Sequence, residues 1–183
     1  MFGNQNLTVK VAFNVSDMVD FKDIYLQLAS MIYNYLLKLC KEPQLAEELL
    51  QETFFSVYKN LNSFRGDSSL KSWVYTIATN KFRDHLRKKQ GKLVVDSDLL
   101  ELQPYTANNP EQVVCRDEKI QKVRQAVEDL SPKLRDTFIL VRYEGLKYRE
   151  AAEVLKVSTA TVRMRIHRSM KILSQKLGEE ENE

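Results

Sequence analysis

The stretch LKYREAAEVLKVSTATVRMRIHRSMKIL, Leu146–Leu173, decides the fold. It reads as a short helix to Leu155, a turn at Lys156 to Ser158, and a longer helix from about Thr159. Ala151 and Ala152 are small enough for a second helix to cross closely. Ser158 suits the N-cap of that helix. Val162, Ile166, either Ser169 or Met170, and Leu173 form its buried stripe. The opposite face carries Ala160, Arg163, Met164, His167, Arg168 and Lys171. Two helices joined by such a turn are the signature of a DNA-reading module. Lys156 stands where glycine is common, so either it adopts the left-handed region or the turn differs slightly, at ~1 kcal/mol.

Charge supports the same reading. Ser158 to Leu177 holds Arg163, Arg165, Arg168, Lys171 and Lys176 and no Asp or Glu. Such a helix suits a polyanion, with a salt-dependent phosphate term and short side chains at its N-terminus able to approach bases. Thr159, Thr161 and Arg163 are expected near bases, and Arg165, Arg168 and Lys171 near phosphates. Ser158, Ala160 and His167 complete this surface.

Upstream, from Arg116, a helix with Ile120, Val123, Val127 and Leu130 ends at Leu130-Ser131-Pro132. Ser131 is a good N-cap and Pro132 a good first residue for the next helix. That helix carries Leu134, Phe138, Ile139 and Val141, and Gly145 suits its C-terminal cap. Residues 91–115 lack periodicity, and from Leu93 to Cys115 the charges are Asp96, Asp98, Glu101 and Glu111 without Lys or Arg. This is an acidic linker. As a flexible coil it spans about 25–30 Å, and fully stretched about 80–90 Å.

The front half gives three amphipathic ladders. The first runs Phe21, Ile24, Tyr25, Leu28, Met31, Ile32, Tyr35, Leu36, Leu39; Pro43 fits the first turn of the second. The second runs Ala46, Leu49, Leu50, Thr53, Phe54, Val57, Tyr58, Leu61. Asn62 to Ser69 supplies turn chemistry around Gly66 and Asp67. The third has Trp73, Val74, Ile77, Ala78, Phe82 and Leu86. Trp73 shares a stripe with Ile77 and reads as core, whereas Tyr75 lies off it and is the aromatic expected at DNA. Residues 1–17 read as a tail, with Met18 a candidate start of the folded unit, and 179–183 as an acidic tail.

The whole is an all-α chain of two small helical domains, 18–90 and 116–178, joined by an extended acidic linker, the second a helix-turn-helix. Its 183 residues, 43% hydrophobic, are enough for packed cores, and 5 Gly and 4 Pro disfavour an all-β fold. The formal charge is only +3, so placement matters more than the sum. Cys40 and Cys115 lie far apart, and with isolated His85 and His167 they give no metal motif; no disulfide framework, metal or cofactor is expected. No run of about 18 apolar residues exists.

LAEELLQETFFSVYKNLNSFRGDSSLKSWVYTIATNKFRDHLRKK (Leu45–Lys89), followed after the linker by LSPKLRDTFILVRYEGLKYREAAEVLKVSTATVRMRIHRSMKIL, resembles the bacterial sigma factors of the extracytoplasmic-function (ECF) group. The resemblance covers about residues 18–177. It implies a transcription initiation factor, not an enzyme, cytoplasmic, with no small-molecule substrate. Its implied partners are core RNA polymerase through the beta-prime and beta subunits, promoter DNA, and an anti-sigma factor, often membrane-anchored. The polymerase patch falls on Glu48, Leu49, Gln51, Glu52 and Phe55; Glu48, Gln51 and Glu52 also share a helix face by spacing. Minus-ten reading and melting fall on Arg65, Gly66, Asp67, Ser68, Tyr75, Asn80, Lys81, Arg83, Asp84, Arg87 and Lys88. The helix-turn-helix takes the minus-35 element. Two rival readings are a stand-alone helix-turn-helix regulator and a small recombinase; the latter lacks candidates for a nucleophile and a metal cluster.

Overall fold

The computed structural model of the protein describes residues 20–89 and 118–179; the expectations for the N-terminal tail, the acidic linker and the chain end from 180 lie outside them. All regular structure among the described residues is helical. The N-terminal domain contains α1 (Phe21–Cys40), α2 (Pro43–Asn60) and α3 (Leu70–Lys89), with a 3-10 turn over Leu61–Ser63. The C-terminal domain contains α4 (Glu118–Glu128), α5 (Pro132–Phe138), α6 (Tyr148–Leu155) and α7 (Thr159–Glu179).

Local chemistry sets the boundaries. The Asp20 carboxylate accepts from the Lys22 N–H at 3.2 Å and caps α1. Lys41 ends it in the left-handed region, φ 58°, donating its N–H to Leu37 O at 2.8 Å. Pro43 occupies the first turn of α2, where its missing N–H is no loss. Ser69 caps α3 by accepting the Ser72 N–H at 3.2 Å.

Ile24, Ile32, Leu36, Ala46, Leu49 and Val57 build the shared core of α1 and α2, as their ladders predict. Two expected members lie outside it: Tyr25 is 43% and Tyr58 65% exposed. Their rings instead close an aromatic cluster with Phe21 and Phe54, with centroids 4.8 Å apart for Tyr25–Phe54 and 5.3 Å for Phe21–Tyr58.

On α3 the buried arc is displaced from the expected one. Val74, Tyr75, Ala78, Thr79 and Phe82 are buried, while Trp73, Ile77 and Leu86 are half-buried. The reason is tertiary: α1 and α2 pack on one side of α3 and α6 packs on another. Burial of Tyr35 and Thr79 is made tolerable by a relay. Thr79 Oγ1 donates to Tyr75 O at 2.7 Å, so the Tyr35 hydroxyl must donate to Thr79 at 2.9 Å. Each such bond contributes about 0.5–1.5 kcal/mol net.

In the C-terminal domain, Val127 and Leu130 are buried as expected and Ala126 joins them, but Ile120 and Val123 are exposed. Pro132 opens α5 as expected. The helix then widens into a π-type turn over Ile139–Tyr143, where Glu144 N–H donates to Ile139 O at 3.0 Å. Gly145 reverses the chain at φ 69°, a conformation suited to glycine. This wide turn directs Glu144 inward, where it is 7% exposed.

Candidate nucleic-acid and polymerase surfaces

The helix-turn-helix forms as the sequence predicts. Ala151 and Ala152 are buried at the crossing of α6 and α7. Lys156 adopts φ 55°, ψ 45°, and its N–H bonds back to the end of α6. Ser158 caps α7, its hydroxyl accepting the Thr161 N–H at 3.1 Å. Val162, Ile166, Ser169 and Leu173 are buried; Met170 is 45% exposed, which settles the open choice for Ser169. The Ser169 hydroxyl is satisfied by donating to Arg165 O at 2.8 Å.

Ser158 before α7 and Thr159, Ala160, Arg163, His167, Arg168 and Lys171 on it are exposed, and Thr161 is half-buried with its hydroxyl 2.8 Å from that of Ser158. Arg165 departs from its expected place at phosphate. It is half-buried, and burial pulls its guanidinium pKa down while the Asp136 carboxylate pulls it up. Asp136 on α5 is itself buried; desolvation pushes its carboxyl up to about 6, against the pull of Arg135, Arg83 and Arg165.

On α2, Glu48, Gln51, Glu52 and Phe55 are exposed on one side, with Phe55 59% exposed beneath the Lys59 ammonium at 4.3 Å. Leu49 is a correction. It is 2% exposed in the α1–α2 core, because its position in the apolar ladder turns it away from the acidic face. Sequence reasoning missed that Tyr58 and Tyr25 extend this surface, because a period-based ladder cannot tell its flank from its centre.

Before α3, Gly66 takes φ 75° at the tip of the loop, where Arg65 and Asp67 are exposed and Ser68 half-buried. Asn80, Lys81, Arg83 and Asp84 are half-buried on α3; Arg87 and Lys88 are exposed. Asp84 pairs with Arg87, and Lys81 lies 3.7 Å from Glu52. Tyr75 is the second correction. It is fully buried against Tyr35, ring centroids 5.1 Å apart, and its hydroxyl donates to the Glu144 carboxylate at 2.7 Å. Burial and that anionic acceptor both push its pKa up. The aromatic pair beside the loop is instead Phe64 and half-buried Trp73, at 5.0 Å.

The fold therefore defines a two-domain helical protein whose C-terminal domain carries a helix-turn-helix. Comparison with known families is specific on this point. Residues 24–92 match Sigma-70 region 2, and residues 120–173 match Sigma-70, region 4. The chain is similar to the RNA polymerase sigma-H factor of Pseudomonas aeruginosa, 30% identical over 166 residues and covering 86% of each chain. It is 32% identical over 139 residues to the ECF RNA polymerase sigma-E factor of Escherichia coli, covering 71% of this chain and 72% of that one. Among solved structures, the sigma factor RpoE in complex with the anti-sigma factor NepR from Bartonella quintana has a similar fold. Its TM-score is 0.65 at 24% identity, over 87% of this chain and 97% of that one. The chain belongs to the sigma-70 family, in its ECF group. It is an alternative sigma factor acting in promoter-specific transcription initiation.

Proposed function

We propose a division of labour over the surfaces. Residues 18–90 bind core polymerase through the exposed side of α2, with Glu48, Gln51, Glu52 and Phe55, and read the minus-ten element. The loop residues Arg65, Gly66, Asp67 and Ser68, with Asn80, hold an unstacked base. Lys81, Arg83, Arg87 and Lys88 hold the separated strand electrostatically, Asp84 fixing Arg87. Unstacking costs a few kcal/mol, which capture of a base offsets. Residues 116–178 read the minus-35 element with the start of α7, and residues 91–115 connect the two. The factor acts in the cytoplasm and catalyses no reaction itself. An anti-sigma factor is its expected antagonist; RpoE of Bartonella quintana has such a partner in NepR.

The observation that carries this reading is the outer side of α7. Arg163, His167, Arg168 and Lys171 all face solvent on an acid-free stretch that begins at a capped turn. Among the described residues no helix is long and apolar enough to cross a membrane.

The test separates base from phosphate contacts. In holoenzyme bound to promoter DNA, Arg163→Ala is expected to weaken binding by about 1–3 kcal/mol and relax preference at one minus-35 position. Lys171→Ala should weaken all sequences alike and lower the salt slope by about one. If both variants lose affinity without any change in sequence preference or salt slope, α7 is not the reading helix.

A further inference from the structure

Given that α7 takes the minus-35 element, a reading made under Proposed function on which this one rests, we propose that Met164 recognises one thymine there through the base's C5-methyl group.

Met164 lies in the second turn of α7 and is 61% exposed. No other large apolar side chain described in the C-terminal domain is as exposed; Tyr143 follows at 48% and Ile120 at 47%. Its place is fixed by the stripe that holds α7 on its domain. Val162, Ile166 and Leu173 are buried. At about 100° per residue, Met164 stands about 160–180° around the helix from each of them. It is therefore the midpoint of the outer face. A helix seated in the major groove, with its buried stripe on its own domain, turns that midpoint to the groove floor. Lys171 lies close to the same line but about 10 Å nearer the C-terminal end, whereas base contacts come from the start of a recognition helix.

The chemistry of that midpoint selects its target. A helical side chain is directed over the turn N-terminal to it. For Met164 this is the turn of Ala160, which is itself exposed and adds only a methyl group. The two form an apolar strip whose sole polar atom is a weak thioether acceptor. In the major groove, guanine offers N7 and O6, adenine N7 and N6, cytosine N4, and thymine O4 with its C5-methyl. Covering a donor or acceptor with this strip removes its water and supplies no hydrogen bond, which is unfavourable. Only the thymine methyl gains, because apolar surface leaves water on both sides. A flexible, polarisable thioether also fits the uneven surface around a methyl group. Met164 thus recognises a methyl group, separately from any hydrogen bonds that Arg163 makes to base edges.

The experiment uses holoenzyme and a promoter fragment that it transcribes, with each minus-35 thymine on either strand replaced in turn by uracil. Uracil keeps the pairing and the O4 acceptor and lacks only the methyl. Wild type is expected to lose about fourfold in affinity at one position, the factor for one methyl-sized group returned to water. Met164→Gln keeps the length of the side chain and should bind the thymine and uracil fragments alike there. Met164→Leu, apolar again, should restore the preference. The side chain is exposed, so neither change is expected to unfold α7. No loss at any position in wild type, or the same loss in wild type and Met164→Gln at every position, overturns the role of Met164. So does a minus-35 element without an A·T pair. Arg163→Ala on the same fragments keeps the two readings distinct. If it relaxes preference at a minus-35 position while Met164→Gln leaves the uracil effect unchanged, α7 still reads the element and only the role of Met164 falls. If neither variant changes any minus-35 preference, the assignment of α7 falls and this one with it.

Discussion

Gln51→Ala combined with Glu52→Lys is expected to remove promoter-directed transcription while leaving the protein folded. Both side chains are exposed on α2, so neither contributes to the core. The ion pair lost, Glu52 with half-buried Lys81 at 3.7 Å, lies at the surface and contributes about 0–1 kcal/mol. At the polymerase the change is larger. An acidic face between Glu42 and Glu52, free of Lys and Arg, suits a basic partner. Reversing one charge and deleting a neighbouring amide is expected to lower core affinity by about 2–3 kcal/mol, roughly 30- to 150-fold. Helix content and minus-35 duplex binding should stay as in wild type. Wild-type affinity for core in the double variant would remove α2 from the polymerase interface.

Asp136→Asn is expected to change how stability depends on pH. In the folded chain, burial raises the Asp136 carboxyl to about 6 from the 3.8 of an exposed aspartate. Below about pH 4 the group is protonated in both states. Between about 4 and 6 the folded state holds the proton more tightly, so stability falls as pH rises. Above about 6 both states are ionised and the full penalty is present, on the order of 3 kcal/mol. The stability of the Asn variant relative to wild type should therefore grow from pH 4 to pH 6 and stay level above. Urea midpoints at pH 4, 5, 6 and 7 measure it. A difference that is the same at all four values would show that burial does not perturb this carboxyl.

Much of this was legible in the residues. Pro43, Pro132, Ser158 and Gly145 mark boundaries because each has a fixed backbone or capping consequence, and all fall where expected. The left-handed Lys156 is one of the two outcomes that its turn position allowed. The stripe of α7 was readable because one domain packs on it from one side. On α3 the same logic slipped, because Tyr35 of α1 and Glu144 of the other domain hold Tyr75 and Thr79 inward, Tyr35 touching both and Glu144 binding Tyr75. Tyr75 was thereby assigned to DNA when its hydroxyl serves Glu144. Glu144 itself was invisible to periodicity. A glutamate before glycine reads as surface, and only the π-type turn sends it inward. Leu49 was placed at the polymerase by resemblance, whereas its own apolar ladder already assigned it to the core.

The most direct measurement of the central claim is run-off transcription with purified core RNA polymerase on a mixture of genomic fragments. With this protein added, discrete transcripts are predicted from start sites that share two elements about two helical turns apart. The same transcripts should be missing with Gln51→Ala/Glu52→Lys. A transcript pattern identical with and without the protein would contradict its role as a promoter-directing sigma factor.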